Sequence, residues 1–351
     1  MAHLFEPLTL GDLTLKNRII MAPLTRSRAD NEGRVPNDLM AQYYGQRASA
    51  GLILTEATII DPMGAGYAHT PGIWSDEQVE GWKKVTKAVH DKGGLIFIQL
   101  WHVGRISHNQ FLDGQTPLAP SAIKPEGHVS LMRPVTEYPT PRALEIAEIK
   151  DIITAFKKGA KNAKKAGFDG VEIHGANGYL LDQFLQDSTN KRDDIYGGSI
   201  ENRARLILDI TDAVLDVWDK KRVGMHLAPR MDAHDMGDST RLETFSYVAR
   251  ELGKRDIGFI FTREHEAEDS ISPILKKEFG GLFISNESFT RESAEDTIKK
   301  GNADAIAFGK QFIANPDLPE RFAVNAPLNE PRSDSFYAGG AEGYTDYPFM
   351  T

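Results

Sequence analysis

Cysteine is absent from the 351-residue chain. Its absence excludes disulfides, cysteine nucleophiles, zinc–thiolate sites and cysteine-ligated iron–sulfur clusters. Such a composition fits a reducing compartment, and we expect a cytoplasmic protein. No apolar run approaches the roughly 20 residues that a membrane helix needs, so we expect no membrane span. The N-terminal segment lacks the basic-then-apolar pattern of a signal peptide, and we expect none.

Excess positive charge is also lacking, because 50 acidic residues oppose 41 Lys and Arg and the formal net charge is −9. An acidic chain repels nucleic acid and anionic membranes, so we expect neither as a partner. No nucleophile-elbow, P-loop or G-x-G-x-x-G motif occurs. The polar segment 230–238 matches no calcium-loop or zinc-helix spacing, so we expect no metal site there.

Eight short apolar runs alternate with longer amphipathic segments along the chain. Near-continuous apolar runs are typical of parallel strands that are covered on both faces. Eight of them, alternating with helices, predict a closed (β/α)₈ TIM barrel. The predicted strands are Ile19–Ala22, Gly51–Leu54, Leu95–Leu100, Gly170–Ile173, Val223–Leu227, Ile257–Phe261, Leu282–Ile284 and Ala305–Phe308.

Helical periodicity and capping signals predict seven helices between and after these strands. We expect one domain over residues 1–351, with two additions. A Pro- and Gly-rich segment at about 103–143 follows the third strand and predicts a lid over the barrel. The aromatic tail at about 329–351 is expected to dock on the barrel wall. The predicted helices are Asn37–Ala48, Asp76–Asp91, Ile146–Ala166, Arg203–Trp218, Glu243–Leu252, Arg291–Lys299 and Asp317–Phe322.

Polar residues follow the predicted strands, where the active sites of such barrels lie. Loops after strands seven and eight usually bind phosphate in this fold, which makes Gly309 and Lys310 candidates. The cluster His174, Asn177 and Tyr179 follows strand four. Its first two members could donate to one carbonyl oxygen and stabilise developing enolate charge. Tyr179 has an ordinary pKa of about 10 and could serve as a proton donor.

Several segments resemble the signature segments of the old yellow enzyme family of FMN-dependent alkene reductases. The most specific is DGVEIHGANGYLLDQFLQDSTNKRDDIYGGSIENRARL at 169–206, and the similarity extends over residues 3–348. The pattern is most similar to bacterial xenobiotic reductases of the B type and to N-ethylmaleimide reductases. Four shorter segments share it: NRIIMAPLTR at 17–26, YYGQRASAGLILTEAT at 43–58, FIQLWHVGR at 97–105 and AFGKQFIANPDLP at 307–319.

The resemblance implies non-covalent FMN across the barrel mouth, with Thr25 near the flavin C4 oxygen. His174 and Asn177 would hold the substrate oxygen, and Tyr179 would protonate carbon. Tyr67, Trp101 and Tyr344 would line the substrate pocket. The implied cofactor-binding residues are Pro23, Leu24, Thr25, Ala57, Gln99, His226, Glu287, Ser288, Gly309 and Lys310.

The implied reaction is ping-pong, with NADPH reducing the flavin before an electrophilic alkene or nitro compound takes the hydride. Nitrate esters are a further implied substrate class. The implied assembly is a monomer or a weak dimer. Iron–sulfur relatives of the same barrel are excluded because cysteine is absent. Two alternatives stay open: a flavin-binding redox sensor with little turnover, and a metal-dependent hydrolase that uses His174, His226 and Asp232.

Three positions differ from the family pattern. His226 stands where Arg is usual near flavin N1, so stabilisation of the anionic reduced flavin is expected to be weaker or pH-dependent. Lys310 replaces the usual phosphate-binding Arg, which keeps the charge but loses the bidentate geometry. Asn177 stands where close bacterial relatives often have His; both donate, so a shifted substrate preference is expected. Thr25 excludes the branch that has Cys there.

Overall fold

The computed structural model describes residues 3–30, 33–230, 233–265, 267–337 and 339–350. Eight parallel strands close into a barrel in which each strand pairs with the next and the last pairs with the first. This confirms the predicted (β/α)₈ barrel. The strands are β1 (Ile19–Met21), β2 (Leu52–Ile59), β3 (Ile96–Trp101), β4 (Gly170–Gly175), β5 (Val223–Leu227), β6 (Phe259–Arg263), β7 (Leu282–Asn286) and β8 (Ala305–Phe308).

Five strands run further toward their carboxyl ends than their apolar runs predicted. The register of β2 against β3 shifts between Leu54 and Ala57, and the strand continues to Ile59. Its added residues include the buried polar side chains Thr55 and Glu56. The ends of β4, β6 and β7 likewise carry polar residues that pair along the barrel. The apolar pattern therefore stopped short at the positions where polar side chains enter the strands.

Within the described residues, eight helices surround the barrel, and seven of them overlap predicted helices. Typical boundaries follow capping residues: Ser75 accepts a hydrogen bond from the backbone N–H of Gln78 at the start of α2. The sequence analysis missed Ser272–Phe279, which has only two turns and too few apolar positions to show a period. The helices are α1 (Asp38–Gln46), α2 (Asp76–His90), α3 (Ile146–Lys165), α4 (Ile200–Leu215), α5 (Arg241–Lys254), α6 (Ser272–Phe279), α7 (Arg291–Lys299) and α8 (Leu318–Val324).

Two apolar layers form most of the core. One lies between the barrel wall and the surrounding helices, and the other fills the barrel interior. An N-terminal hairpin, Leu8–Leu10 paired with Leu13–Leu15, adds Leu10 and Leu15 to the interior layer. It was not predicted, because its strands have only three residues each. Within the described residues, no helix is long and apolar enough to cross a membrane.

The segment 103–143 after β3 contains little regular structure. Leu118–Ala119 pairs with Arg142–Ala143 in a two-residue ladder, and His128 bridges Glu137. The short helices Asn109–Phe111, Leu180–Leu185 and Lys310–Ala314 lie in loops at the barrel's carboxyl end.

Three buried arginines hold the C-terminal tail against the barrel. The guanidinium of Arg26 donates to the backbone carbonyls of Phe336 (2.9 Å) and Gly343 (2.8 Å). Arg28 donates to the carbonyl of Ser335 at 2.7 Å. Arg47 donates to carbonyls of the loop after β8 and to that of Tyr344. Since Arg26 and Arg28 lie one and three residues after Thr25, the same contacts fix the loop after β1.

Candidate active site

A cavity of about 840 Å³ opens at the carboxyl ends of the strands. Every strand contributes a residue from its last positions or from the loop that follows. Its volume and its mixture of aromatic and polar walls are those of a small-molecule site. Four residues of the segment after β3 also line it: His128, Ser130, Leu131 and Arg133.

The predicted site residues, with one exception, lie in the wall of this single cavity. Residues separated by up to 287 positions in the chain, from Pro23 to Lys310, therefore share one space. These residues are Pro23, Leu24, Thr25, Ala57, Tyr67, Gln99, Trp101, His174, Asn177, Tyr179, His226, Glu287, Ser288, Gly309 and Lys310.

Tyr344 is the exception, and its predicted place in the pocket is wrong. Its ring is fully buried and stacks on Tyr43 with centroids 4.0 Å apart. The guanidinium of Arg28 lies 4.7 Å from the same ring. The tail therefore uses Tyr344 as an anchor behind the wall. Tyr337 of the same tail lines the cavity instead.

His174 presents a hydrogen-bond donor to the cavity. Burial, and then the charge of Arg263, lower its pKa to about 3, so the ring is neutral near neutral pH. Its Nδ1 accepts a hydrogen bond from the backbone N–H of Ala176 at 3.3 Å. A neutral imidazole that accepts at Nδ1 carries its proton on Nε2. The tautomer thus leaves an Nε2–H group for a ligand.

Tyr179 lies in an aromatic corner of the cavity. Its hydroxyl is 3.0 Å from the hydroxyl of Tyr67, and its ring meets Trp101 edge-on at 5.0 Å. Burial is the main cause that raises the pKa of Tyr179 to about 12. The hydroxyl therefore stays protonated across the physiological range and can donate.

Asn177 lies in the turn between β4 and Tyr179, with a left-handed φ of 58°. The ring of His234 hydrogen-bonds its carbonyl oxygen through Nδ1 at 2.8 Å. Gly178 follows with φ 75°, and a Cβ there would lie 2.8 Å from the Cβ of His234. Buried Asp182 accepts the N–H of Gly178 at 2.9 Å. These contacts hold the turn that carries both Asn177 and Tyr179.

The floor of the cavity is a buried polar chain of three side chains. Gln99 Nε2 donates to Glu172 Oε2 at 2.6 Å and lies 3.1 Å from His226 Nδ1. Burial lowers the pKa of His226 well below its ordinary value and raises that of Glu172 to about 8. The Nε2 atom of His226 is buried without a hydrogen-bond partner. A buried polar atom without a partner fits a site that binds a polar group of a ligand.

The loops after β7 and β8 form the other end of the cavity. Asn286 joins them by donating to the carbonyl of Ala307 at 2.8 Å. Glu287 and Ser288 have φ of 135° and 60°, unusual for residues with side chains. A Cβ on Gly309 would lie 3.1 Å from Leu24 Cδ1, so a larger residue would crowd the loop after β1. Lys310 is exposed beside them.

The sequence did not predict several wall and floor residues, among them Arg263, His234, Tyr337 and Glu172. Arg263 and His234 line the cavity, as does Tyr337, and Glu172 lies directly below Gln99. A charged residue next to the predicted end of strand six was the signal for Arg263. A glutamate inside an apolar strand was the signal for Glu172, because charge is seldom buried without a function.

The metal-hydrolase alternative receives no support from the described part of the chain. No group of three or more His, Cys, Asp or Glu side chains there could hold a metal ion. The rings of His174 and His226 stack with centroids 5.0 Å apart. Asp232, the third residue of that alternative, lies outside the described residues.

Known proteins share this chain's sequence and structure over almost its whole length. The model of the NADH:flavin oxidoreductase / NADH oxidase family matches residues 3–329. A probable flavin mononucleotide-dependent alkene reductase from Leishmania infantum is 42% identical, over 99% of this chain and 97% of the relative.

Two solved structures are also similar. An old yellow enzyme homologue from Zymomonas mobilis has a TM-score of 0.96 at 45% identity, covering 99% of each chain. Morphinone reductase in complex with tetrahydroNAD has a TM-score of 0.95 at 48% identity, covering 99% of this chain and 98% of the other.

Proposed function

The chain belongs to the NADH:flavin oxidoreductase / NADH oxidase family, which includes the old yellow enzymes, and on this premise we propose that it is an FMN-dependent alkene reductase. Its substrates are α,β-unsaturated carbonyls, maleimides and nitro compounds, with nitrate esters as a further class. The observation that carries the proposal is the convergence of His174, Asn177 and Tyr179 on one cavity that is built by all eight strand ends.

The residues around the cavity fit FMN. The unpartnered Nε2 of His226 and the amide of Gln99 offer polar groups for the pyrimidine edge of the ring. Thr25 would contact the flavin near its C4 oxygen, and Pro23, Leu24 and Ala57 would pack on it through backbone. Backbone groups at Glu287, Ser288, Gly309 and Lys310 would hold the phosphate. Bound FMN would supply the hydride that the substrate carbon accepts.

The chain's own residues perform the polar part of the reaction. The Nε2–H group of His174 and the amide of Asn177 donate to the substrate's carbonyl or nitro oxygen and polarise the double bond. Two donors in a dry site stabilise the negative charge that develops on this oxygen. The Tyr179 hydroxyl donates its proton to the α-carbon. Tyr67, 3.0 Å away, orients this hydroxyl by hydrogen bonding. Tyr67 and Trp101 form the apolar side of the pocket.

His226 keeps the floor neutral. Burial lowers the pKa of His226 well below its ordinary value, so the ring stays neutral near neutral pH. Of the two expectations from the sequence, this favours weaker stabilisation of the anionic reduced flavin over pH-dependent stabilisation. We expect His226→Arg to raise the reduction potential of bound FMN by a similar amount from about pH 6 to about pH 9. A spectroelectrochemical titration measures it.

NADPH is proposed as the hydride donor, in line with the resemblance to xenobiotic reductases of the B type. The related morphinone reductase complex with tetrahydroNAD supports a nicotinamide nucleotide in this cavity. Rates of flavin reduction with NADPH and with NADH decide between the two.

We also propose a cytoplasmic monomer or weak dimer formed by one domain. Light scattering tests the assembly, and cell fractionation tests the location.

The direct test is a visible spectrum of the purified protein followed by turnover. We expect a yellow protein that releases one FMN per chain on denaturation. NADPH should bleach it under nitrogen, and 2-cyclohexenone should restore the colour. A colourless protein that does not take up FMN would contradict the proposal, and bleaching without reoxidation by any activated alkene would favour the redox sensor.

A further inference from the structure

Arg263 at the end of β6 connects the two ends of the cavity. Its Nε and Nη2 donate to the two carboxylate oxygens of Glu287, at 2.7 and 3.2 Å. Its remaining nitrogen, Nη1, lies 3.4 Å from Oδ1 of Asn177. The side chain lines the cavity and is 32% exposed. One guanidinium thus contacts both the loop after β7 and the substrate-facing turn after β4.

The contact with Arg263 determines how the amide of Asn177 is oriented. A guanidinium has five N–H donors and no acceptor, so only the oxygen of a neighbouring amide can face it. With Oδ1 turned toward Arg263, the amide nitrogen is turned away from it and serves as a donor. The backbone of the same residue is already held by His234. Without Arg263, the amide could rotate and offer its oxygen to the substrate instead.

The charge of Arg263 also acts on the substrate-binding groups. Burial is the main reason that the pKa values of His174 and His226 are low, and Arg263 lowers both further. Among the smaller influences on Tyr179, Arg263 lowers the pKa. A positive charge felt at all three side chains is placed to favour a ligand oxygen that carries negative charge.

We propose that Arg263 is a positioning and specificity-determining residue of this active site. It holds Asn177 as a donor, and its charge favours ligands whose bound oxygen already carries negative charge, such as phenolates and the nitro group of nitroalkenes, over the neutral carbonyl oxygen of enones. This inference rests on the proposed function. Glu287 fixes the guanidinium through two of its nitrogens and leaves the third for Asn177.

The alternative role is structural: the Arg263–Glu287 pair could simply brace the loop after β7. The two roles differ in their dependence on Asn177. If Arg263 acts through Asn177, then removing Arg263 has little further effect once Asn177 is already alanine. If Arg263 only braces the loop, the activity losses caused by removing Arg263 and Asn177 should add, and FMN retention should weaken.

The test is a double-mutant cycle on the FMN-loaded protein with Arg263→Met, Asn177→Ala and the combined variant. Readouts are kcat and KM for 2-cyclohexenone and for a nitroalkene, the Kd of 4-chlorophenol from the visible spectrum, and FMN content. We expect Arg263→Met to weaken phenol binding and nitroalkene kcat/KM roughly ten- to hundredfold, with a smaller loss for the enone. In the Asn177→Ala variant, adding Arg263→Met should lower kcat/KM for 2-cyclohexenone by about twofold or less.

Two further variants keep the test decisive. Arg263→Lys retains charge and donors and should recover most of the phenol affinity. Arg250→Met removes a comparable arginine–glutamate pair, with Glu278 at 3.1 Å on the outer helices, and should change nothing. Additive enone losses in the double variant, equal losses for enone and nitroalkene, or loss of FMN from both Arg263 variants would overturn the inference. Failure of the proposed function is distinct, because the unmodified protein would then show no alkene-dependent turnover.

Discussion

The two ends of the cavity differ in how far their side chains are exposed to water. At the end near β4, His174 is only 4% exposed, and burial shifts the pKa values of His174 and Tyr179 away from their ordinary values. At the end near β8, Lys310 is exposed to solvent. Electrostatic interactions are strong in a dry site and weak where water and salt screen them. Single side chains should therefore matter greatly at the β4 end and little at the β8 end, where backbone geometry dominates.

The largest expected effect is that of Tyr179→Phe. Removing the hydroxyl should slow reoxidation of the reduced protein by 2-cyclohexenone by roughly 10²- to 10⁴-fold, the usual size of a lost proton donor. Reduction by NADPH should change little, since that step needs no proton from Tyr179. Stopped-flow absorbance at the flavin band measures the two steps separately.

The matched control is Tyr247→Phe on α5, which removes a hydroxyl from an outer helix. Equal slowing of both half-reactions by Tyr179→Phe would refute the proton-donor role. It would make Tyr179 a residue of general importance for the cavity.

His174→Ala is expected to rank next. Loss of one buried donor to a developing oxyanion should lower kcat/KM for 2-cyclohexenone by roughly 10²- to 10³-fold. His174→Asn keeps a donor and should recover part of this loss. His90→Ala on α2, an exposed histidine paired with Asp169 at 2.9 Å, serves as the control. A loss of tenfold or less for His174→Ala would show that the β4 end is not the dry oxyanion site described above.

Burial at the cavity floor also makes a prediction for stability. Burial raises the pKa of Glu172 from 4.5 to about 8. The contribution of its protonated carboxyl to folding stability is therefore complete below pH 4.5 and is lost as the pH rises toward 8. Glu172→Gln cannot ionise. The difference in free energy of unfolding, variant minus unmodified protein, should therefore increase from pH 5 to pH 8, by up to about 1.4 kcal/mol per pH unit.

Urea unfolding of both proteins at several pH values measures the difference. The buried histidines have the opposite sign: the pKa of His174 is lowered to about 3, so its contribution is lost as the pH falls below 6.5. A constant difference between Glu172→Gln and the unmodified protein across this range would mean that Glu172 is ionised in the folded state at all these pH values.

Lys310→Met should have the smallest effect. An exposed charge near phosphate contributes about as much as a surface ion pair, so the Kd for FMN should rise roughly two- to fivefold. The affinity of the unmodified protein should fall with salt, and that of Lys310→Met should fall less. Fluorescence of released FMN measures both, with Lys299→Met on α7 as the control. A hundredfold loss would mean that the β8 end depends on this side chain after all.

The sequence was sufficient for the barrel and for about half of the residues that line the cavity. Apolar runs locate parallel strands well, and the polar residues that follow them converge once the barrel closes. The strand ends themselves were harder, because Thr55, Glu56 and Arg263 interrupt the apolar pattern where the strands continue. The helix Ser272–Phe279 was missed because two turns carry too little periodicity.

Contacts between residues that are far apart in the chain could not be predicted from the sequence pattern. Tyr344 was expected in the pocket, whereas Tyr337 occupies the wall, because the tail is held by backbone carbonyls whose partners no local pattern reveals. The approach of Arg263 to Asn177 joins positions 86 residues apart. No periodicity in the sequence reports a contact between side chains so far apart in the chain.

The most direct test of the account is a crystal structure of the protein grown with FMN and soaked with 4-chlorophenol. It should show one flavin ring over the strand ends, with Gln99 and His226 at its pyrimidine edge and its phosphate beside Gly309. The phenol oxygen should lie within hydrogen-bonding distance of His174 Nε2 and Asn177 Nδ2. A flavin bound elsewhere, or a phenol whose oxygen contacts neither side chain, would contradict it.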